Sequence, residues 1–151
     1  MIPFLLGLVG LVLLVAAPIM IFQGLLGRRS VTRELVQQRI SFPPSGLPAA
    51  LGAYAGRPVR TGIEARAYSD LIADHVVAAT GGRTYAEIAA ECQKNKTDES
   101  LSRLRETAFM GETLRGALLG AYQAWQVTLL VIGLGLLCAA MGAGFLAMAL
   151  Q

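Results

Sequence analysis

Two long stretches without a charged side chain dominate this sequence and limit what it can fold into. The first covers residues 1–27 and the second covers residues 116–150, while all 13 Lys and Arg and all 10 Asp and Glu lie between them. A helix needs roughly 20 apolar residues to cross a bilayer, and each stretch is longer than that. The segregation of charge therefore predicts two transmembrane helices joined by a polar segment.

The predicted fold is an all-α membrane protein in which two transmembrane helices flank a small cytoplasmic helical domain. Residues 1–27 form the first transmembrane helix, and residues 28–60 form a helix extension and a Pro- and Gly-rich connector. The helical domain covers residues 61–124, and the second transmembrane helix covers residues 125–151. Because the front of the chain lacks the positive charges of a signal peptide, we expect the first span to be retained.

Two polar motifs predict helix starts in the middle segment. Thr61 with Glu64, and Thr84 with Glu87, have the spacing of a capping box, in which each side chain bonds the other residue's backbone amide. Between them, Gly81-Gly82 suits the left-handed backbone at a helix end. The sequence therefore predicts a helical hairpin with a very short turn.

A third helix is expected to follow the hairpin and to lead into the second span. Thr97 or Asp98 is the candidate cap at its start. Its apolar side chains should face the hairpin, and they are Leu101, Leu104 and Ala108. A bend is expected near Gly111, since glycine is a poor helix former.

Arginine and aromatic residues flank the two apolar stretches. The arginines nearest to the spans are Arg28, Arg29, Arg33 and Arg115. Because arginines near a span stay on the cytoplasmic side, we expect a multi-pass protein of the plasma membrane with both termini outside. The same arginines are candidates for contact with anionic lipid. Tyr122 and Trp125 are expected at the level of the lipid headgroups.

Small residues recur at helical spacings in both apolar stretches. In the first, every seventh residue is small at Gly10, Ala17 and Gly24. In the second, every fourth residue is small at Gly135, Ala139, Ala143 and Ala147. Small side chains let membrane helices approach closely, so both rows are predicted to contact other transmembrane helices. The alternative is the ordinary abundance of glycine in membrane helices.

The middle segment contains few residues that could carry catalysis. His75 is the only histidine and lies on the apolar face of its predicted helix, so we expect a partly buried, hydrogen-bonded core residue. A single histidine cannot supply a two-histidine metal site, and Cys92 as a nucleophile with His75 as its base lacks a supporting motif. We therefore predict no enzyme, no cofactor and no metal. Acids interleaved with the bases also exclude a nucleic-acid surface.

Three segments resemble a group of small actinobacterial membrane proteins of unknown function. They are AYSDLIADH at 67–75, GGRTYAE at 81–87 and TAFMGETLR at 107–115, and the similarity covers roughly residues 60–125. Some members of that group are described as aromatic ring-opening dioxygenases, which hold iron with two histidines and a carboxylate. This chain has one histidine, so the resemblance implies a lineage and an envelope location rather than that activity.

The leading functional hypothesis is a non-catalytic accessory or assembly subunit of a larger membrane complex, or a homo-oligomer. Its expected partners are membrane lipids and other transmembrane helices. One alternative is a membrane-anchored module that binds a ligand or lipid or takes part in signalling. Another is a small channel or transporter component, which the absence of ionisable side chains within the spans opposes.

Overall fold

The computed structural model describes residues 2–150, and helices dominate that range. The α helices are α1 Ile2–Gln37, α2 Gly62–Thr80, α3 Tyr85–Lys94 and α4 Glu99–Ala149. A short 3-10 helix, Ala49–Tyr54, lies between α1 and α2. No β-strand occurs within residues 2–150, so the predicted all-helical fold is confirmed. As predicted, α1 and α4 each contain a stretch long and apolar enough to cross a membrane.

The chain divides into two compact units. The first combines Met1–Arg33 with Gln123–Gln151 and is called here the helix-pair unit. The second covers Glu34–Tyr122 and is called the middle unit. The helix-pair unit contains the apolar parts of α1 and α4, whereas every Asp, Glu and Lys belongs to the middle unit.

Both predicted capping boxes are present in the middle unit. Thr61 Oγ1 accepts from the Glu64 amide at 3.3 Å, and Glu64 Oε2 accepts from the Thr61 amide at 3.0 Å. At the start of α3, the Thr84 amide donates to Glu87 Oε2 at 2.7 Å. That bond and the one from the Thr84 hydroxyl stabilise the carboxylate, so they lower the pKa of Glu87. Gly81 ends α2 in the left-handed region with φ 63°, as its sequence predicts.

A small apolar core joins α3 to the first turns of α4. The side chains that form it are Ile88, Cys92, Leu101, Leu104 and Ala108. The three α4 residues among them are those predicted to face the hairpin. At the start of α4, the Leu101 amide donates to Asp98 Oδ1 at 3.0 Å, which identifies Asp98 as the cap. The same bond lowers the pKa of Asp98.

The connector between α1 and α2 folds back around one aromatic side chain. Phe42 is buried, stacks on Tyr54 at 5.1 Å and meets the edge of Tyr68 at 5.1 Å. Nearby, the Val59 amide donates to the Ile40 carbonyl at 2.9 Å across an isolated antiparallel bridge. The connector is thus closed on itself by backbone contacts and attached to α2 through Phe42 and Tyr68, despite its proline and glycine content.

α4 continues without interruption through Gly111, where the sequence predicts a bend. Gly111 is buried, and a Cβ built there would overlap the Val76 side chain of α2. The glycine therefore allows α2 to approach α4 closely rather than breaking the helix. Packing against Val76 offsets the intrinsic helix penalty of glycine, which is about 1 kcal/mol relative to alanine.

Candidate interaction surfaces

Glycines bring the backbones of α1 and α4 into contact within the helix-pair unit. A methyl group added at Gly10 would lie 2.9 Å from the Gly142 carbonyl oxygen. One added at Gly142 would lie 2.8 Å from the Gly10 carbonyl oxygen. Both distances are shorter than real Cβ contacts, so any larger side chain must push the helices apart. Small residues thus permit a close approach of the two helices, a kind of packing also common between helices in membranes.

The contact repeats every seven residues and runs antiparallel. Gly10 meets Gly142, Ala17 meets Gly135, and Gly24 meets Thr128. Each step of seven along α1 is matched by a step of seven back along α4. A seven-residue repeat keeps the same helix faces together over several turns, as in a coiled coil. We call this contact the glycine seam, and its members are Gly10, Ala17, Gly24, Thr128, Gly135 and Gly142.

The predicted packing residues divide between the glycine seam and the open surface. Gly10, Ala17, Gly24 and Gly135 are buried in the seam. Of the rest of the predicted four-residue row, Ala139 is half-buried and Ala143 and Ala147 are exposed.

Helix geometry explains this division. Four residues turn a helix by about 400°, so each step of the row rotates about 40° away from α1, whereas seven residues return to within about 20°. The exposed alanines face away from α1, and their contact with another helix stays a prediction.

The predicted arginine and aromatic residues also divide between the two units. In the helix-pair unit, the Arg28 guanidinium lies over the Trp125 ring, 4.6 Å from its centroid. Arg29 and Arg33 are exposed. The remaining predicted residues, Arg115 and Tyr122, belong to the middle unit.

Within the middle unit, Arg115 binds its neighbour Glu112 through two bonds of 2.9 Å. The Tyr122 ring lies 5.5 Å from the Arg66 guanidinium. These two predicted membrane-boundary residues therefore have charged partners within their own unit.

An open groove of about 550 Å³ lies between α2 and α4 in the middle unit. Apolar side chains line it, among them Ile72, Val76, Met110 and Leu114. His75 lines the groove but is exposed, so its expected place in the core is wrong. Neighbouring residues on a helix point about 100° apart, and Val76 occupies the position against Gly111. That packing turns His75 toward solvent.

Glu64 is the most heavily bonded carboxylate of the middle unit. Its Oε1 accepts from Arg57 Nη2 at 3.3 Å, and its Oε2 accepts from the amides of Arg60 and Thr61 at 2.8 and 3.0 Å. The residue is only 9% exposed. With both oxygens occupied, the carboxylate holds the connector against the start of α2. Sequence reasoning found its capping bond but missed Arg57 and the Arg60 amide, because these contacts depend on how the connector folds.

Cys92 is buried in the core between α3 and α4. Its Sγ donates to the Leu101 carbonyl at 3.4 Å. Within residues 2–150, no group of three or more His, Cys, Asp or Glu side chains is arranged to hold a metal ion. Cys92 is thus part of the packed core, whereas His75 borders the open groove.

The fold and these surfaces define an all-helical protein with two helices able to cross a membrane. Comparisons with protein-family models, curated proteins and solved structures find no match for this chain.

Proposed function

We propose that this chain is an integral membrane protein in which α1 and α4 both cross the bilayer. The observation that supports this most is the lack of cover on the two helices. In each of them, only 11% of the most apolar 18-residue stretch is buried. A core helix of a water-soluble protein would bury most of such a stretch, because exposed apolar surface costs about 25 cal/mol per Å² in water. Lipid tails remove that cost.

In this arrangement the middle unit is cytoplasmic and both chain ends are outside. Arg28, Arg29 and Arg33 directly follow the apolar part of α1, and Arg115 precedes the apolar part of α4. Positive side chains next to a span favour the cytoplasmic side. Both helices favour the same orientation, which supports a membrane hairpin.

We propose further that the protein is a non-catalytic accessory or assembly subunit, within a larger complex or a homo-oligomer. The glycine seam lets α1 and α4 pack on each other, which leaves their outer faces free. Ala143 and Ala147 are exposed on α4, and small residues there would admit another helix closely. In the middle unit, the groove beside Met110 and Leu114 leaves apolar side chains without cover.

A membrane-anchored lipid-binding module is a second candidate function. It is favoured by the contact between Arg28 and Trp125, which holds a cation beside the ring of an aromatic residue at the end of the apolar helices. The two functions are compatible, since an assembly subunit can also bind lipid.

Replacement of Ala143 by leucine tests the assembly function. Leucine at this exposed position should block close approach of a partner helix while leaving membrane insertion intact, because leucine is at least as apolar as alanine. We expect Ala143→Leu to reach normal membrane abundance but to lose its oligomer or co-purifying subunit. Tagged full-length protein, extracted from native membranes in mild detergent and analysed by native mass spectrometry, provides the measurement.

The control variant is Leu137→Ala, which changes size at another exposed position of the same helix. It should retain the complex. A wild-type protein that is monomeric after mild extraction would contradict the assembly function. An unchanged complex in Ala143→Leu would show instead that this face of α4 does not hold the partner.

A further inference from the structure

The charge of the helix-pair unit is carried by arginine alone. Its two chain segments contain Arg28, Arg29 and Arg33 and no acidic side chain. Elsewhere, arginines with a carboxylate partner are common, and they are Arg57, Arg66, Arg83, Arg103 and Arg115. Within residues 2–150, no ion pair joins Arg28, Arg29 or Arg33 to a carboxylate. Three positive charges therefore lack a counter-ion from the described part of the protein.

Arg28 differs from the other two because the protein holds its guanidinium in place. Its Cζ lies 4.6 Å from the Trp125 ring centroid, within the range of a cation–π interaction. Its Nε is buried without a hydrogen-bond partner among residues 2–150. The residue as a whole is half-buried and no group among residues 2–150 bonds its Nη atoms, so their donors are available to a ligand. A fixed guanidinium of this kind loses less side-chain freedom when it binds an anion.

Close packing of α1 on α4 at the Thr128 end of the glycine seam sets this geometry. Gly27 precedes Arg28, and a Cβ built on it would lie 2.8 Å from Thr128 Cγ2. Thr128 is one turn after Trp125 in α4, and its hydroxyl donates to the Trp125 carbonyl at 2.7 Å. Close packing at Gly27 and Thr128 thus places Arg28 against the tryptophan ring. The contact follows from backbone positions rather than from a flexible surface side chain.

We propose that Arg28, beside Trp125, binds the phosphate group of an anionic phospholipid, with Arg29 adding positive charge nearby. This inference rests on the proposed membrane insertion and adds a ligand class to it. Arg28 directly follows the apolar residues of α1, and Trp125 lies two residues before the apolar run of α4 that begins at Val127, so both lie at the level of the headgroups. A guanidinium can bind phosphate through two parallel N–H···O bonds. Inorganic phosphate shares this chemistry and is separated from lipid by the experiment below.

Trp125 is the only tryptophan of the chain, so its fluorescence reports on this site alone. The full-length protein is reconstituted in phosphatidylcholine–phosphatidylglycerol vesicles. In one set of vesicles, phosphatidylglycerol carries bromine near the top of its acyl chains. In the other set, phosphatidylcholine carries it. Bromine quenches tryptophan at close range. We expect phosphatidylglycerol to be enriched about fivefold beside Trp125, the preference that one arginine at a charged membrane surface supplies.

Three variants connect this preference to Arg28. Arg28→Gln removes the guanidinium beside Trp125 and should abolish most of the preference, leaving only the general attraction of Arg29. Arg28→Lys keeps the charge but lacks the planar guanidinium that can bind phosphate through two bonds, so it should lower the preference. Arg103→Gln removes an exposed arginine of the middle unit and is the matched control, which should behave as the wild type. An Arg28→Gln variant that keeps the full preference would overturn the site, because the protein would then attract anionic lipid without any contribution from Arg28.

The remaining outcomes separate this inference from the proposed function. Equal quenching of the wild-type protein by both lipids would overturn the phosphate site while leaving membrane insertion intact. Loss of the preference on addition of inorganic phosphate, but not of an equal ionic strength of chloride, would show that free phosphate displaces lipid and would overturn phospholipid as the preferred ligand. Absence of quenching by either lipid would overturn membrane insertion itself.

Discussion

Gly111 shows how one missing methyl group positions two helices of the middle unit. It lies in α4, is buried, and faces Val76 and Ile72 of α2. Val76 is β-branched and has few alternative rotamers, so it cannot easily move aside for a new Cβ. Gly116 lies one and a half turns further along α4 in open space. The same substitution should therefore have opposite effects at the two positions.

We predict that Gly111→Ala weakens the contact between α2 and α4, whereas Gly116→Ala does not. Overpacking costs about 1–3 kcal/mol, while a gain in helix propensity of about 1 kcal/mol applies to both variants. Hydrogen–deuterium exchange of the full chain in detergent measures the effect on the α2 amides. Exchange should be faster than wild type in Gly111→Ala only. Adding Val76→Ala to that variant should restore protection, and equal exchange in both glycine variants would contradict this packing role.

At the scale of secondary-structure elements, short-range chemistry was predictable and long-range packing was not. Thr61 and Thr84 mark the starts of α2 and α3 because a capping box depends on residues three positions apart. The end of α1 had no such signal, since Arg39 adopts the left-handed backbone (φ 53°) that usually favours glycine. The exposure of His75 depends on the partner that α2 meets, which its own helical spacing cannot reveal.

The glycine seam illustrates the same limit in α1 and α4. Both the seven-residue row and the four-residue row are visible in the sequence. Which face of α4 meets α1 depends on the antiparallel pairing of distant residues, so the burial of Gly142 and the exposure of Ala143 became known only from the structure. The sequence predicts contact of Arg28 with anionic lipid and places Trp125 at the headgroups, but it does not predict their contact with each other, because that contact depends on the seam.

A disulfide across the end of the helix pair tests the seam. A Cβ at Gly7 would lie 3.7 Å from the Ala149 Cβ, which matches the separation in a disulfide. In a chain with Cys92 and Cys138 replaced by serine, we predict that Gly7→Cys and Ala149→Cys form an intramolecular disulfide in mild oxidant. Non-reducing electrophoresis after proteolysis between the helices detects it.

The seam further predicts how glycine substitutions affect that disulfide. Gly142→Ala should slow its formation about fivefold or more, because the new methyl group meets the Gly10 backbone and an overpacking cost of about 1–3 kcal/mol opposes closure. Gly144→Ala is the matched control, as nothing lies within 4 Å of a Cβ there. Equal rates in the two variants would mean that α1 and α4 do not pack through Gly142.

At the scale of the whole molecule, the two units differ in what covers their apolar side chains. The middle unit has its own small core around Ile88 and an aromatic cluster around Phe42. The helix-pair unit has the glycine seam and leaves most of its large apolar side chains exposed. A bilayer is the environment in which such a surface is stable. Membrane crossing by both helices is therefore the central claim about this protein.

Labelling of single cysteines with a membrane-impermeant maleimide tests that claim most directly. In the same cysteine-free background, Ser45→Cys marks the connector between the helices, while Pro3→Cys and Leu150→Cys mark the two ends of the hairpin. In intact cells, both end positions should be labelled and Ser45→Cys should react only after the membrane is permeabilised. Labelling of Ser45→Cys and Leu150→Cys from the same side would contradict crossing by α4, and the same result for Ser45→Cys and Pro3→Cys would contradict crossing by α1.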